Sequence, residues 1–253
     1  MSRFFVPPES VRADRIHLKG KEVHHIVNVM RLRSGDKIVT FDGTGAEYTG
    51  IIKNISLSRI LIGIEQTTFR LPEESFSVTL AQAIPRKAKM NYIVQKCAEL
   101  GVWRIIPLQT TRTVVRLKGG KEGSQYKRWE RIAREASKQC GRTQLTEIGR
   151  LTRLEQVVEG VTSYDLALIP CLAEGTRDLK TVLLSYKKDR SSKQAARIIV
   201  FIGPEGGFTP EEVKASQDNG AIAVSLSKNI LKSDTAAISS LAIINYELGA
   251  TRS

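Results

Sequence analysis

The sequence feature that most constrains the fold is a glycine turn that directly follows a short buried strand. Ile198–Ile202 is an apolar run rich in β-branched residues, which is typical of a strand buried on both faces. Gly203–Gly207 follows at once, and Thr209 with Pro210 then has the pattern of a helix start. Open α/β sheets bind ligands at the carboxyl ends of their strands, so the turn predicts a binding site. A plain strand-to-helix turn has the same pattern.

Two domains are predicted, at residues 1–72 and 73–253. The first part contains closely spaced short strands such as Lys37–Phe41 and Ala46–Lys53, which predict a small β-barrel. Leu71–Ser75 has the composition of a linker. After it, strands alternate with amphipathic helices, and this alternation predicts a mostly parallel sheet with covering helices.

The charge distribution favours a polyanionic partner. The net charge is +13, and residues 73–145 carry 15 Lys and Arg against 6 Asp and Glu, whereas residues 146–253 carry 13 of each. This lopsided block favours nucleic acid, although a solubilising surface has the same composition. The candidate RNA contacts are Arg31, Arg33, Arg86, Lys87, Lys89, Arg134 and Arg142.

Metal, membrane and export functions are not indicated. No stretch approaches the roughly 18 apolar residues of a membrane helix, and the N-terminus lacks the apolar core of a signal peptide. Cys97, Cys140 and Cys171 show neither metal-ligand spacing nor a disulfide framework. We therefore expect a cytoplasmic protein without a bound metal.

Three segments are predicted to meet at one edge of the sheet. Leu168–Cys171 ends one strand, Gly203–Gly207 ends the next, and Leu226–Lys232 follows the last. In a parallel sheet these ends lie on the same side, so the three loops can enclose one ligand. No phosphate-binding glycine motif is present, and apolar loops with glycine backbone suit a purine ring instead.

Several stretches together resemble the RsmE family of SPOUT methyltransferases, and the resemblance spans nearly the whole chain. Phe201–Phe208 looks like the signature of that family. The other stretches that agree in order and spacing are His24–Asp36, Lys89–Gly101, Arg128–Arg142 and Leu226–Ala236.

The resemblance implies both a fold and a function. The fold would be α/β, with an N-terminal PUA-like small β-barrel and a C-terminal SPOUT domain whose sheet is threaded as a deep trefoil knot. The function would be methylation, from S-adenosylmethionine, of N3 of a uridine in the decoding region of 16S rRNA. The substrate would be the assembled small ribosomal subunit, and the enzyme would be a homodimer. Two alternatives stay open: another RNA target such as a ribose 2′-hydroxyl, and a non-catalytic RNA-binding assembly factor.

The family motifs also imply site residues. The implied cofactor contacts are Leu168, Ile202, Gly203, Pro204, Glu205, Gly206, Leu226, Ser227, Asn229, Ile230, Leu231, Thr235 and Ala236. Uridine N3 carries a proton, so a base, or a cation that stabilises the deprotonated ring, would help, and the candidates are Glu205, Lys232 and Asp234. Glu205 has an alternative role as a cap of the following helix.

The last loop departs from the family pattern. Ser227 stands where the family usually has glycine, Asn229 and Lys232 replace arginines, and Asp234 replaces a glutamate. Lys232 keeps the charge without the bidentate geometry of arginine, and a left-handed backbone at Ser227 would be strained. Weaker cofactor binding, weaker RNA binding or a lower reaction rate is therefore expected from this loop.

Overall fold

The computed structural model describes residues 3–69, 76–86, 89–115, 121–190 and 195–249, which fall into two compact units. Unit 1 comprises the described residues up to 69 together with residues 134–145, and unit 2 comprises the remainder. The sequence predicted one crossing between domains near residue 72, whereas in the structure residues 134–145 also group with unit 1. The predicted linker Leu71–Ser75 lies outside the described residues.

Unit 1 is built on a sheet whose strands alternate between buried and exposed residues. Its strands are β1 (Arg3–Phe5), β2 (Val11–Arg12), β3 (Arg15–Lys19), β4 (Lys37–Phe41), β5 (Ala46–Ile55) and β6 (Arg59–Phe69), in the order β1-β4-β5-β6-β3-β2. In β3, Ile16 and Leu18 are buried and the residues between them are exposed. This strand was not predicted from the sequence, although its alternation is the pattern of a half-buried strand.

A short helical segment lies between β3 and β4 along the chain. Val23, Ile26, Val27 and Met30 recur at helical spacing, which predicts one helix over residues 21–30. The structure has α1 (Lys21–His24) continuing directly into a π-helical turn at His25–Val29. Val23 and Ile26 are buried as their spacing predicted, whereas Met30 is exposed.

Two partly buried cations, Arg134 and Lys138, connect the returning segment 134–145 to the rest of unit 1. The guanidinium of Arg134 lies over the ring of Phe5, 4.5 Å from its centroid. Lys138, whose side chain is 9% exposed, forms an ion pair with Glu22 at 2.9 Å. These side chains therefore serve packing within unit 1.

Unit 2 contains a parallel sheet, as the alternation of strands and helices predicted. Its strands are β7 (Phe76–Ala83), β8 (Arg104–Gln109), β9 (Glu147–Ile148), β10 (Thr152–Arg153), β11 (Leu166–Pro170), β12 (Arg177–Asp178), β13 (Ala196–Ile202) and β14 (Ile222–Ser225). The order is β10-β8-β7-β13-β11-β14-β12, β9 also pairs with β8, and the pairings are parallel. Residues 198–202 of β13 are buried, which explains their continuous apolar sequence. The trefoil knot stays a prediction.

In the described part of the chain, six helices accompany this sheet. They are α2 (Lys89–Glu99), α3 (Lys121–Cys140), α4 (Leu154–Glu159), α5 (Leu179–Asp189), α6 (Pro210–Asp218) and α7 (Ser233–Leu248). The sequence predicted α2, α3, α6 and α7 but not α4 or α5. The glycine-rich composition of residues 117–124 and the charged, serine-rich composition of residues 186–192 suggest exposed loops. In the structure, residues 121–124 belong to α3 and residues 186–189 to α5, whereas residues 117–120 and 191–192 lie outside the described residues.

Candidate functional site

A pocket of about 570 Å³ lies at the carboxyl ends of β11, β13 and β14, in unit 2. The three segments that the sequence predicted to meet all contribute to its lining. The predicted cofactor contacts that line it are Ile202, Gly203, Pro204, Glu205, Gly206, Leu226, Ser227, Asn229, Ile230, Leu231 and Ala236. The volume is in the range of small-molecule sites.

Two predicted contacts are not brought to this pocket. Leu168 is fully buried in the middle of β11, where it pairs with Val200 on one side and Ile222 on the other. Thr235 is exposed in the first turn of α7. Leu168 precedes the end of its strand by two residues, so its side chain belongs to the core instead of the strand-end loop.

The pocket also has walls that the sequence did not predict. Phe208, Val213 and Gln217 line it from the turn and α6, and Leu172 lines it from the loop after β11. Arg112 reaches it from the loop after β8. Because β8 lies in the same parallel sheet, its carboxyl end was a signal that could have identified this loop.

The glycines of the turn have two different structural reasons. Gly207 has a φ of +67°, a left-handed conformation that favours glycine, and its N–H donates to the carbonyl of Pro204 at 2.9 Å. A Cβ at Gly203 would lie 3.2 Å from the Cα of Gly207. Both residues are therefore required by the turn itself. A Cβ at Gly206 would instead meet the Cδ of Arg112 at 3.4 Å, an ordinary contact.

Arg112 and Glu212 hold the turn from two sides. The Nη1 of Arg112 donates to the carbonyls of Gly206 at 2.6 Å and Phe208 at 3.2 Å. Glu212 is buried, and its carboxylate accepts the backbone N–H groups of Thr111 and Thr209, each at 2.8 Å. The loop after β8 and the start of α6 are thereby joined around one buried carboxylate.

The helix start predicted at Thr209 is confirmed, but Glu205 does not cap it. The cap is a capping box formed by Thr209 and Glu212. Glu205 is exposed, and its Oε1 accepts the backbone N–H of Arg86 at 2.9 Å. The alternative capping role of Glu205 is therefore wrong.

A buried hydrogen-bond chain supports the other end of the turn. Ser233 is buried, and its Oγ donates to the carbonyl of Gly203 at 2.7 Å. The Nε2 of Gln82 donates to the Oγ of Ser233 at 2.9 Å and to the carbonyl of Ala83 at 2.8 Å. Gln82 is fully buried at the end of β7. This chain connects β7, β13 and the start of α7, and the sequence did not predict it.

The three candidate catalytic residues have different surroundings. Glu205 lines the pocket. Asp234 forms an ion pair with Lys89, with the Nζ 3.2 Å from the carboxylate oxygen. Lys232 is exposed at the residue before α7. Neither Lys232 nor Asp234 is among the described residues that line the pocket.

The unusual loop before α7 is closed by local hydrogen bonds. The backbone N–H of Asn229 donates to the Oγ of Ser227 at 3.0 Å, and the Oγ of Ser225 donates to the carbonyl of Ser227 at 3.2 Å. Among the described non-glycine residues, Ala13 and Arg31 have positive φ, and Ser227 does not. The left-handed strain expected at Ser227 is therefore absent.

The predicted RNA contacts are divided between exposed and packed positions. Arg31 and Arg33 are exposed in unit 1, and Arg86 is exposed in unit 2. Arg134 packs on Phe5 as described above, Arg142 is half-buried, and Lys89 is paired with Asp234. Lys87 lies outside the described residues.

The described residues show no alternative site of metal or membrane type. Within them, no group of three or more His, Cys, Asp or Glu is arranged to hold a metal ion. None of the described helices is long and apolar enough to cross a membrane.

Comparison with known proteins identifies the family. Residues 72–245 match the family described as RNA methyltransferase domain, and residues 18–65 match the RNA methyltransferase PUA domain. The curated relatives include Ribosomal RNA small subunit methyltransferase E of Bacillus subtilis, 29% identical over 98% of this chain and 97% of that protein. The protein of the same name from Synechocystis is 32% identical over 96% of this chain and 77% of its own length.

A solved structure agrees with these matches. The ribosomal RNA small subunit methyltransferase E of Neisseria gonorrhoeae, bound to S-adenosyl methionine, superposes with a TM-score of 0.82. The two chains are 27% identical, and the match covers 97% of each. An N-terminal PUA-like unit and a C-terminal methyltransferase unit are therefore confirmed, and the chain belongs to the ribosomal RNA small subunit methyltransferase E family of RNA methyltransferases.

Proposed function

We propose that this protein uses S-adenosylmethionine to methylate N3 of a uridine in the decoding region of 16S rRNA, on the assembled small subunit. The observation that carries the proposal is the apolar pocket around the turn 203–208, in a chain that matches proteins named as small-subunit rRNA methyltransferases over nearly its full length. The choice of uridine N3 comes from the resemblance of the sequence motifs to the RsmE family.

The pocket residues fit an adenosyl cofactor better than a polyphosphate. Arg112 is the one lysine or arginine among the described lining residues, and its guanidinium is engaged by two backbone carbonyls. Leu226, Ile230 and the backbone of Gly203 offer apolar surface and main-chain groups of the kind that recognise a purine. When bound, S-adenosylmethionine supplies an electrophilic methyl group on a sulfonium centre.

Glu205 is the candidate that the geometry favours as the base. It lines the pocket, and one of its carboxylate oxygens is oriented by the backbone N–H of Arg86. A carboxylate at this place accepts the proton that N3 must release before it attacks carbon. The target base must also be unpaired or flipped out, since N3 lies on its pairing edge.

Asp234 and Lys232 fit that role less well. The carboxylate of Asp234 is held in an ion pair with Lys89 at 3.2 Å, and Asp234 does not line the pocket. An exposed ammonium at Lys232 suits a contact with the RNA phosphate backbone instead.

The proposal is tested by methyl transfer to purified small subunits that lack the modification, with nucleosides analysed by mass spectrometry. The expected product is 3-methyluridine. A 2′-O-methylated nucleoside would show that the methylated atom is a ribose 2′-oxygen instead of uridine N3. Failure to bind S-adenosylmethionine at millimolar concentration would favour a non-catalytic assembly factor.

The role of Glu205 is tested with a matched pair of variants. Glu205→Gln is expected to lower kcat by about 10²- to 10⁴-fold while the cofactor Kd stays within about threefold. Glu211→Gln removes a neighbouring exposed carboxylate in the first turn of α6 and is expected to leave kcat unchanged. Equal effects of the two variants would remove Glu205 from the reaction.

The resemblance further leads us to propose a homodimer. Sedimentation equilibrium measures the mass directly, and a chain that stays at 28.1 kDa at micromolar concentration would contradict the dimer.

A further inference from the structure

The outer face of the unit 1 sheet places like charges directly opposite one another. In the antiparallel pair of β2 and β3, Arg12 faces Arg15, and in the pair of β3 and β6, Lys19 faces Arg59. All four side chains are exposed. Like charges at directly opposed positions destabilise a sheet, so this arrangement opposes folding unless an external anion compensates it.

Further basic groups occupy the same face. His17 lies between Arg15 and Lys19 on the exposed side of β3. Lys53 of β5 extends over Gly63 of β6, since a Cβ at Gly63 would lie only 2.8 Å from the Cε of Lys53. Gly63 pairs with Arg15, so Lys53 lies on the same side as that arginine. We call the set Arg12, Arg15, His17, Lys19, Lys53 and Arg59 the basic sheet face.

Little negative charge within the chain balances this face. Among the described residues, the ion pair made by the basic sheet face joins Arg15 to Asp14 at 3.4 Å, and these two side chains are 61% and 74% exposed. A solvent-exposed pair of this kind is a weak interaction. The remaining four Lys and Arg side chains of the face have no acidic partner among the described residues.

We propose that the basic sheet face binds the phosphate backbone of RNA. The proposal rests on the proposed function, because that function makes RNA the polyanion this chain must approach. Alternate residues along β3 are about 7 Å apart and adjacent strands about 5 Å apart, so the face presents a two-dimensional array of cations to the RNA. Contacts of this type set affinity and orientation but not sequence specificity.

The first test measures the salt dependence of binding to a labelled 16S rRNA transcript. The triple variant Arg12→Gln, Lys19→Gln, Arg59→Gln is expected to reduce the slope of log affinity against log salt by about 2 to 3. The control Lys180→Gln, Lys188→Gln, Lys214→Gln removes the same charge from exposed positions on α5 and α6. It is expected to leave the slope within about 0.5 of the wild-type value. Equal slopes for the two triple variants and the wild type would overturn the proposal.

A second test uses the sign of the stability change. Arg59→Glu places a carboxylate opposite Lys19, so repulsion becomes attraction and the Tm is expected to equal or exceed that of the wild type. RNA affinity is expected to fall further than in Arg59→Gln. A purely structural role of Arg59 predicts the opposite result for stability, a lower Tm, with RNA affinity unchanged.

The outcomes separate this inference from the function on which it rests. If the salt slope is reduced in the first triple variant but the wild type transfers no methyl group, the RNA-binding surface is supported and the methylation is rejected. If the wild type transfers the methyl group and the triple variant has the wild-type slope, the proposed function is supported and the RNA-binding surface is rejected. If the triple variant loses binding to poly-glutamate but keeps its binding to RNA, the face would bind an acidic protein instead, and the proposal would also be rejected.

Discussion

Replacing Ser233 with alanine tests whether the buried hydrogen-bond chain holds the glycine turn in its binding conformation. The hydroxyl of Ser233 donates to the carbonyl of Gly203 and accepts from the amide of Gln82. Ser233→Ala removes both interactions with little change in volume. The amide of Gln82 keeps its bond to Ala83, so the variant removes the partner of one Gln82 N–H and the hydroxyl that donates to the carbonyl of Gly203.

The expected magnitude follows from these contacts. Two hydrogen bonds with a net value of about 0.5–1.5 kcal/mol each give a loss of about 2 kcal/mol in the free energy of unfolding of unit 2. For a chain of this size that loss lowers the Tm by roughly 4–8 °C. The bond to Gly203 also fixes the turn, and its loss is expected to weaken binding of S-adenosylmethionine by roughly three- to tenfold.

The matched control is Ser240→Ala on the same helix. Ser240 is equally buried, but its hydroxyl donates to the carbonyl of Ala236 within α7. We expect a smaller loss of about 1 kcal/mol and an unchanged cofactor Kd. Thermal unfolding and titration calorimetry measure both quantities. Equal cofactor affinities in the two variants would refute the reasoning, because the chain through Ser233 would then contribute only to stability.

Two further perturbations have definite expected outcomes. Gly206→Val places a branched side chain against the Cδ of Arg112 and is expected to weaken cofactor binding at least tenfold, whereas Gly206→Ala is tolerated; calorimetry that finds the two alike would contradict this role of Arg112. In unit 1, burial and the adjacent Asp42 raise the pKa of Tyr48 from 10.0 to about 12. The unfolded chain therefore loses this proton first, and the stability contributed by Tyr48 is complete below about pH 10 and falls by roughly 2–3 kcal/mol towards pH 12. Tyr48→Phe is expected to abolish that fall in denaturant titrations, and a wild-type profile in the variant would assign the fall to another group.

The general position of the site could be predicted because it depends on local patterns. A short apolar run followed by glycines indicates the end of a buried strand, and parallel strands end on one side of a sheet. These two facts suffice to bring Cys171, Gly203 and Leu226 to one pocket. They do not identify Ser233 or Gln82, because hydrogen bonds between residues 151 positions apart leave no pattern in either segment.

The sequence could predict only coarsely which basic residues are available to contact RNA. The count of basic residues indicated the block 73–145. In the structure, however, two cations of that block make contacts within unit 1: Arg134 packs on Phe5, and Lys138 pairs with Glu22. The more concentrated array lies on β3 and its neighbours. It depends on the register that sets Lys19 opposite Arg59, and linear composition contains no information about register.

The departures of residues 227–234 from the family pattern are consistent with one another in the folded chain. Ser227 supplies a hydroxyl that accepts the N–H of Asn229, a contact that glycine cannot make. Asp234 pairs with Lys89 and lies in the first turn of α7, where a negative charge complements the positive helix end. The side chains of Ser227 and Asp234 therefore contribute local contacts that order this segment. Weaker cofactor binding no longer follows from strain at Ser227, and the loss of positive charge at Asn229 stays as the reason to expect a weaker contact with RNA.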